Sequence, residues 1–224
     1  MSISKNIADF NHQLEGTSAR LIAVSKTKPQ EAIEEAYAAG QRAFGENKVQ
    51  EMADKAANLP KDIEWHQIGH LQTNKVKYLA PFVALIHSVD SIKVLKEINK
   101  QAKKVDRIIN CLLQVHIAEE QSKFGLSYEE TADILCEIAK DYQNIRITGL
   151  MGMATNTDNE QQVRKEFAGL KKFFETHKTK DLCPNVALQE ISMGMSGDYK
   201  IAIEEGSTMV RVGSSIFGHR NYDQ

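Results

Sequence analysis

Lys26 is the residue whose setting in this sequence best suits it for chemistry. It follows the apolar run at residues 21–25 and comes just before Pro29, a residue suited to the first turn of a helix. Parallel α/β folds place functional side chains at such strand ends. An amine held against apolar walls loses hydration, so its pKa falls and the neutral form can condense with an aldehyde. A solvated surface lysine is the alternative that this segment alone leaves open.

Two later segments combine glycines with small hydroxyl residues, and both would suit an anion. One contains Ser196, and the other contains Gly213 and Ser214. A helix that begins at such a segment offers backbone N–H groups and the positive end of its dipole. In barrel proteins the loops after strands seven and eight form a recurrent phosphate site. Each segment by itself could be an ordinary turn, but together with Lys26 they indicate a small phosphorylated aldehyde or ketone as the ligand.

Arg211 helps to choose between two ligands of that description, a sugar phosphate cleaved by a Schiff-base aldolase and pyridoxal 5′-phosphate (PLP). It lies two residues before Gly213, so strand alternation points both residues the same way. An arginine there can donate to the ring nitrogen of PLP. Because a guanidinium keeps its proton, that nitrogen would stay unprotonated and the ring would be a weaker electron sink. Arg211 therefore favours PLP.

Asn47, His66 and His70 are the other polar residues at predicted strand ends that could bind a ligand. Asn47 follows a glycine-containing strand end and offers both a donor and an acceptor, although an Asx-turn or a helix cap would explain it equally well. The two histidines raise the question of a metal site. No third ligand of suitable spacing follows them, so we expect no metal.

Eight short apolar or β-rich runs alternate with amphipathic segments along the chain. We predict strands at residues 21–25, 42–45, 64–69, 83–89, 108–117, 146–153, 187–193 and 208–213. We predict helices near residues 29–40, 46–58, 72–79, 91–104, 127–142, 158–177 and 197–205, and an amphipathic segment at 3–14 that could cover the barrel floor. This order favours one α/β domain over residues 1–224, a closed (β/α)8 TIM-type barrel, with an open doubly wound sheet as the alternative.

The composition predicts a cytoplasmic protein and argues against polyanionic partners. The 224 residues are 42% hydrophobic and 26% charged, and their net charge of −2 gives no attraction to nucleic acid or to a membrane surface. The first six residues lack a signal-peptide core, and no apolar run approaches the ~20 residues of a membrane span. The three cysteines, which are odd in number and far apart, indicate reduced thiols.

Five segments carry a specific resemblance to a known family, in the same order along the chain. They lie at residues 23–28, 44–47, 65–72, 194–196 and 206–213. With them the sequence, from about residue 21 to 218, resembles the PLP homeostasis protein family, also called the proline-synthase co-transcribed family. The resemblance implies a monomeric barrel like the N-terminal domain of alanine racemase, which is PLP fold type III.

The resemblance also implies roles for individual residues of the site. Lys26 would carry PLP as a Schiff base, Arg211 would face the pyridine nitrogen, and Asn47 would lie beside the cofactor. The phosphate contacts would be Ser196, Gly213 and Ser214. Two positions depart from the usual pattern, since Lys48 stands where many members carry tyrosine and residues 214–215 are Ser-Ser where many carry Thr-Ala.

The end of the sequence bears on what bound PLP would do. Alanine racemases add a C-terminal domain that supplies a tyrosine as second base, whereas this sequence ends at residue 224, six residues after Gly218. We therefore expect an open cofactor face and no robust turnover, because inversion at a carbon needs a proton donor on each side. The predicted function is a non-catalytic carrier that buffers PLP or delivers it to apo-enzymes. A weak amino-acid racemase is the enzyme alternative.

Overall fold

The chain folds as a closed barrel of eight parallel strands, in which each strand pairs with the next along the sequence. The computed structural model describes residues 2–120 and 123–218. The strands are β1 Arg20–Val24, β2 Ala43–Glu46, β3 Glu64–Gln67, β4 Leu85–Val89, β5 Ile109–Val115, β6 Ile145–Gly152, β7 Val186–Met195 and β8 Met209–Val212. Pairing of β1 with β8, with Ile22 opposite Arg211, closes the barrel. The predicted barrel is confirmed, and the open sheet is wrong.

Helices surround the barrel within the described part of the chain. They are α1 Ile3–Leu14, α2 Gln30–Ala38, α3 Val49–Asn58, α4 Val76–Leu79, α5 Ile92–Lys104, α6 Tyr128–Asp133, α7 Glu160–Lys178, α8 Tyr199–Glu204 and α9 Ser214–Phe217. None of these helices is both long and apolar enough to cross a lipid bilayer. The first helix lies beside α2 and α9 in the outer layer, where Asn6 Nδ2 donates to Ile216 O at 2.8 Å. It therefore does not lie across the floor.

The segment predicted as a single helix at 127–142 changes its winding after α6. A π turn over Ile134–Ile138 and a 3₁₀ turn over Ala139–Asp141 follow it. Groups from a neighbouring segment bind carbonyls of these turns: Cys183 N–H donates to Leu135 O at 2.9 Å, and Asn185 Nδ2 donates to Ala139 O at 2.8 Å. These carbonyl oxygens accept hydrogen bonds from outside the helix instead of keeping to the regular α-helical pattern, which accounts for the change in winding.

The barrel interior is only partly apolar. Its apolar residues form a buried cluster of Ile22, Ala43, Leu85, Leu112, Met151 and Met209. Polar side chains are also buried among the strands, and they include His66, His87, Ser192 and Arg211. Branched apolar residues usually fill the interior of such barrels. Buried polar groups need hydrogen-bond partners, and these four residues form a row of hydrogen bonds that ends at the candidate site.

Candidate cofactor-binding site

One cavity of about 690 Å³ opens where the strands end. Its volume falls in the range of about 300–1,000 Å³ that is typical of sites for small molecules and cofactors. All six residues singled out from the sequence as binding residues line its wall: Lys26, Asn47, Ser196, Arg211, Gly213 and Ser214. The fold therefore brings together residues from both ends of the chain.

A buried ion pair holds the residue before Lys26. Ser25 Oγ donates to Glu46 Oε1 at 2.6 Å, while Lys55 Nζ donates to Ser25 O at 2.8 Å and to the same Glu46 oxygen at 2.7 Å. Burial raises the pKa of Glu46, and the charge of Lys55 opposes that rise. The end of β1 is thus tied to β2 and α3, while Lys26 itself is half-buried.

The residue after Lys26 is held as well. Thr27 has a left-handed backbone (φ +63°), and its N–H donates to Glu51 Oε1 at 2.6 Å. Lys55 Nζ donates to that Glu51 oxygen at 2.7 Å. The same ammonium therefore helps to hold the residues on both sides of Lys26. A β-branched residue rarely adopts this conformation. Lys26 therefore projects from a backbone that is fixed before and after it.

The wall around Asn47 is fixed through its backbone. Gln67 Nε2 donates to Asn47 O at 2.9 Å and to Gly69 O at 3.0 Å. A Cβ atom added at Gly69 would lie 2.7 Å from Asn47 O, so only glycine fits there. The loops after β2 and β3 are consequently packed backbone to backbone.

The two histidines considered for a metal lie in different environments. His66 is buried in the barrel interior, whereas His70 lies at the mouth of the cavity, where its Nδ1 is 2.8 Å from Asp90 Oδ2. The His70 ring stacks on Phe124 with 4.1 Å between ring centroids. Within residues 2–120 and 123–218, no group of three or more His, Cys, Asp or Glu side chains is placed to hold a metal ion.

Arg211 supplies a buried cation at the base of the cavity. Its Nη1 donates to Ser192 Oγ at 2.5 Å and its Nη2 donates to Gly152 O at 3.2 Å. Burial lowers the pKa of Arg211 to about 10, so the guanidinium keeps its charge at neutral pH. Next to it, Gly213 N–H donates to Ser196 Oγ at 3.3 Å and joins the loops after β7 and β8.

Sequence reasoning missed the polar groups behind Arg211. His87 Nδ1 lies 2.8 Å from Ser192 Oγ, and His87 Nε2 lies 2.8 Å from His66 Nδ1. The alternation of side chains along β4 and β7 could have assigned His87 and Ser192 to one face of each strand. It could not have shown that the two residues meet, because that depends on how the barrel closes.

Comparison with known proteins places this fold and site in a class. The family model described as "Alanine racemase, N-terminal domain" matches residues 1–221. Alanine racemase from Bartonella henselae, solved with covalently bound pyridoxal phosphate, has the same fold, with a TM-score of 0.74 at 16% identity over 100% of this chain and 61% of that chain. The protein is therefore a barrel of the alanine racemase N-terminal class.

Closer relatives define the family within this class. The pyridoxal phosphate homeostasis protein of Aquifex aeolicus is 41% identical over 91% of this chain and 88% of that protein, and the human one is 37% identical over 99% and 84%. The structure of PipY from Synechococcus elongatus solved without PLP matches with a TM-score of 0.89 at 37% identity, covering 96% of this chain and 100% of that chain. PipY with PLP bound gives a TM-score of 0.87. The chain belongs to the pyridoxal phosphate homeostasis protein family.

Proposed function

We propose that this chain binds PLP in the cavity and holds it for release to other proteins, as a PLP homeostasis protein. The observation that carries this proposal is the meeting of Lys26, Arg211 and the Ser196–Gly213 corner on one cavity wall. These are an amine for an aldehyde, a cation for a ring nitrogen and small polar groups for a phosphate. A relative with 37% identity has been solved with PLP bound, which supports the same ligand here.

Each lining residue then has a role that its chemistry suits. Lys26 would hold PLP through its amine, since the aldehyde that PLP supplies is a group with which an amine can condense. Arg211 would donate to the ring nitrogen, and its positive charge at neutral pH would keep a proton off that nitrogen. Ser196, Gly213 and Ser214 bind the phosphate, and Asn47 lies beside the ring. The cavity volume leaves room for all of these contacts.

Borohydride reduction followed by peptide mapping tests the attachment. The purified protein loaded with PLP should carry a reduced phosphopyridoxyl group on Lys26, and Lys26→Ala should abolish it. Lys28→Ala is the matched control, because Lys28 also lines the cavity while its Nζ donates to Phe217 O at 3.0 Å. A reduced group found chiefly on a lysine other than Lys26 would contradict the assignment.

We further propose that the bound cofactor is carried rather than used for turnover. Among the residues that line the cavity, Lys26 is the one base assigned to the reacting end, and one base can exchange a proton on one face only. Loaded protein should transfer PLP to an apo-enzyme. In deuterated water with L-amino acids, Lys26-dependent accumulation of D-amino acids would instead identify a racemase.

The proposed setting of this activity is the cytoplasm, with the chain as a monomer and PLP-dependent apo-enzymes as recipients. The three cysteines are free thiols, which suits a reducing compartment. Light scattering of loaded and unloaded protein measures the oligomeric state, and mixing with an apo-enzyme measures transfer.

A further inference from the structure

A buried row of hydrogen-bonding groups runs from Arg211 into the barrel. Arg211 Nη1 contacts Ser192 Oγ at 2.5 Å, Ser192 Oγ lies 2.8 Å from His87 Nδ1, and His87 Nε2 lies 2.8 Å from His66 Nδ1. All four residues are at most 4% exposed. The row thus joins the candidate site to the opposite half of the barrel interior.

Counting donors and acceptors fixes the direction of the hydrogen bonds in this row. A guanidinium can only donate, so Ser192 Oγ accepts from Arg211. The single hydroxyl proton of Ser192 then goes to His87 Nδ1, which places the His87 proton on Nε2. That proton is donated to His66 Nδ1, so His66 also carries its proton on Nε2. The reverse order would leave a buried hydroxyl proton without an acceptor, which native structures avoid.

Burial and the nearby cations favour neutral imidazoles in the row, and only the carboxylates near His66 oppose this. His87 faces His66 and the cations Arg211 and Arg20, and His66 faces Arg20 together with the carboxylates Glu64 and Glu190. Burial lowers the pKa of both rings, and most strongly that of His87. A proton on His87 would add a second buried positive charge next to Arg211, which the interior does not favour.

We propose that Ser192, His87 and His66 are positioning residues that hold Arg211 through a one-way chain of hydrogen bonds with both imidazoles neutral. Ser192 and Gly152 O engage two of the five guanidinium N–H groups and so set the angle at which the others face the cavity. The part of this proposal that concerns the PLP ring nitrogen rests on the proposed function. The direction of the hydrogen bonds does not rest on the proposed function.

Histidine tautomers measured by ¹⁵N NMR on the protein without cofactor test the chain directly. Both rings, assigned through the backbone, should be neutral at neutral pH with the proton on Nε2. A charged ring, or a proton on His87 Nδ1, would overturn the one-way order. This measurement needs no variant, so an unstable variant cannot obscure it, and its result is independent of whether PLP binds.

Retention of PLP by Ser192→Ala tests the positioning role. The control is Ser88→Ala, which also removes a buried hydroxyl from a barrel strand, but one without a hydrogen-bond partner among the described residues. Ser192→Ala should weaken retention about tenfold and shift the absorption band of the bound cofactor, because a hydrogen bond to a charged group is lost. Ser88→Ala should leave both unchanged. Equal effects of the two substitutions would overturn the role, whereas wild-type protein that retains no PLP would refute the proposed function alone.

Discussion

The two ends of the candidate site are held by different kinds of buried network. Around Lys26 the groups are charged, with Lys55 Nζ 2.7 Å from one oxygen each of Glu46 and Glu51. Behind Arg211 the partners are a hydroxyl and two imidazoles inside the barrel. The charged network lies between the end of β2 and α3, where Glu46 and Lys55 are buried and the side chain of Glu51 is 23% exposed. Because Glu46 and Lys55 have lost most of their hydration, each depends on the charge of the other.

The comparison shows how one site can fix an amine and a guanidinium in two environments. A charged cluster holds the amine end through strong but mutually dependent contacts, so the loss of one member leaves another charge unpaired. A chain of neutral groups holds the guanidinium end, where loss of one member removes one or two hydrogen bonds but leaves no ion without its counter-ion. We therefore expect changes at the Lys26 end to affect stability most, and changes at the Arg211 end to affect cofactor retention.

Lys55→Met should have the largest effect on stability. It leaves Glu46 buried without its cation, and breaking a buried pair in this way costs about 3–5 kcal/mol. Urea unfolding measures the loss. Lys5→Met is the control, because Lys5 pairs with Asp9 at the i,i+4 spacing that also separates Glu51 from Lys55, but on an exposed helix face, and should change little. Similar losses for the two variants would mean that the buried cluster is not a stabilising unit.

Acidification should weaken the fold through the histidines of the chain. In the folded state the pKa of His66 and of His87 is lowered below the usual 6.5. Below that pH the unfolded state therefore binds protons that the folded state does not bind. Stability is therefore intact above pH 6.5 and falls as pH decreases, by up to about 1.4 kcal/mol per pH unit for each histidine. Unfolding measured between neutral and acid pH should show a flatter dependence for His87→Gln. His12→Gln, a substitution of an exposed histidine on α1, is the control.

Arg211→Lys should reduce retention of PLP about tenfold, since an ammonium cannot bind Ser192, Gly152 and the proposed third partner, the ring nitrogen, with the geometry of a planar fork. Spectroscopic titration with PLP measures this loss. Arg20→Lys is the comparison, because Arg20 lies at the start of β1 and contacts Glu190 at 3.4 Å, away from the cavity. A greater loss from Arg20→Lys than from Arg211→Lys would place the ring contact elsewhere.

Thr27→Asn should have the smallest effect, a gain in stability of about 1 kcal/mol. Thr27 has φ +63°, and asparagine tolerates the left-handed region better than a β-branched residue does. Asp106, the other such non-glycine residue in the described chain, is already of a tolerant type. Thermal unfolding measures the gain, and a loss would show that the Thr27 side chain contributes more than its backbone strain removes.

The barrel could be predicted from the sequence because each strand is a short apolar or β-rich run bounded by a turn signal. Local pattern is sufficient for that, and all eight runs form strands. The cavity-lining residues could be predicted for the same reason, since they stand at strand ends. The altered winding after α6 could not, because contacts from residues 183–185 produce it.

The supports of the site could not be predicted from local pattern. Glu46, Lys55 and Ser25 meet through packing of α3 on two strands, and nothing in their own segments reports that meeting. His66 and His87 pair across two neighbouring strands of the sheet, whereas spacing along the chain suggested His66 with His70. The residues proposed to bind the ligand can be located from the strand ends in the sequence. The residues that position them can be located only once the closure of the barrel is known.

The pairing of β1 with β8, which closes the barrel, also determines when the site forms during synthesis of the chain. Lys26 stands at the end of the first strand and Arg211 lies within the last, and these two strands pair directly. A nascent chain that still lacks β8 presents the amine without the guanidinium or Gly213. Contacts between residues so distant in sequence form late, because a long loop must close first. An unfinished chain therefore gains its affinity for the proposed cofactor only when the last strand docks.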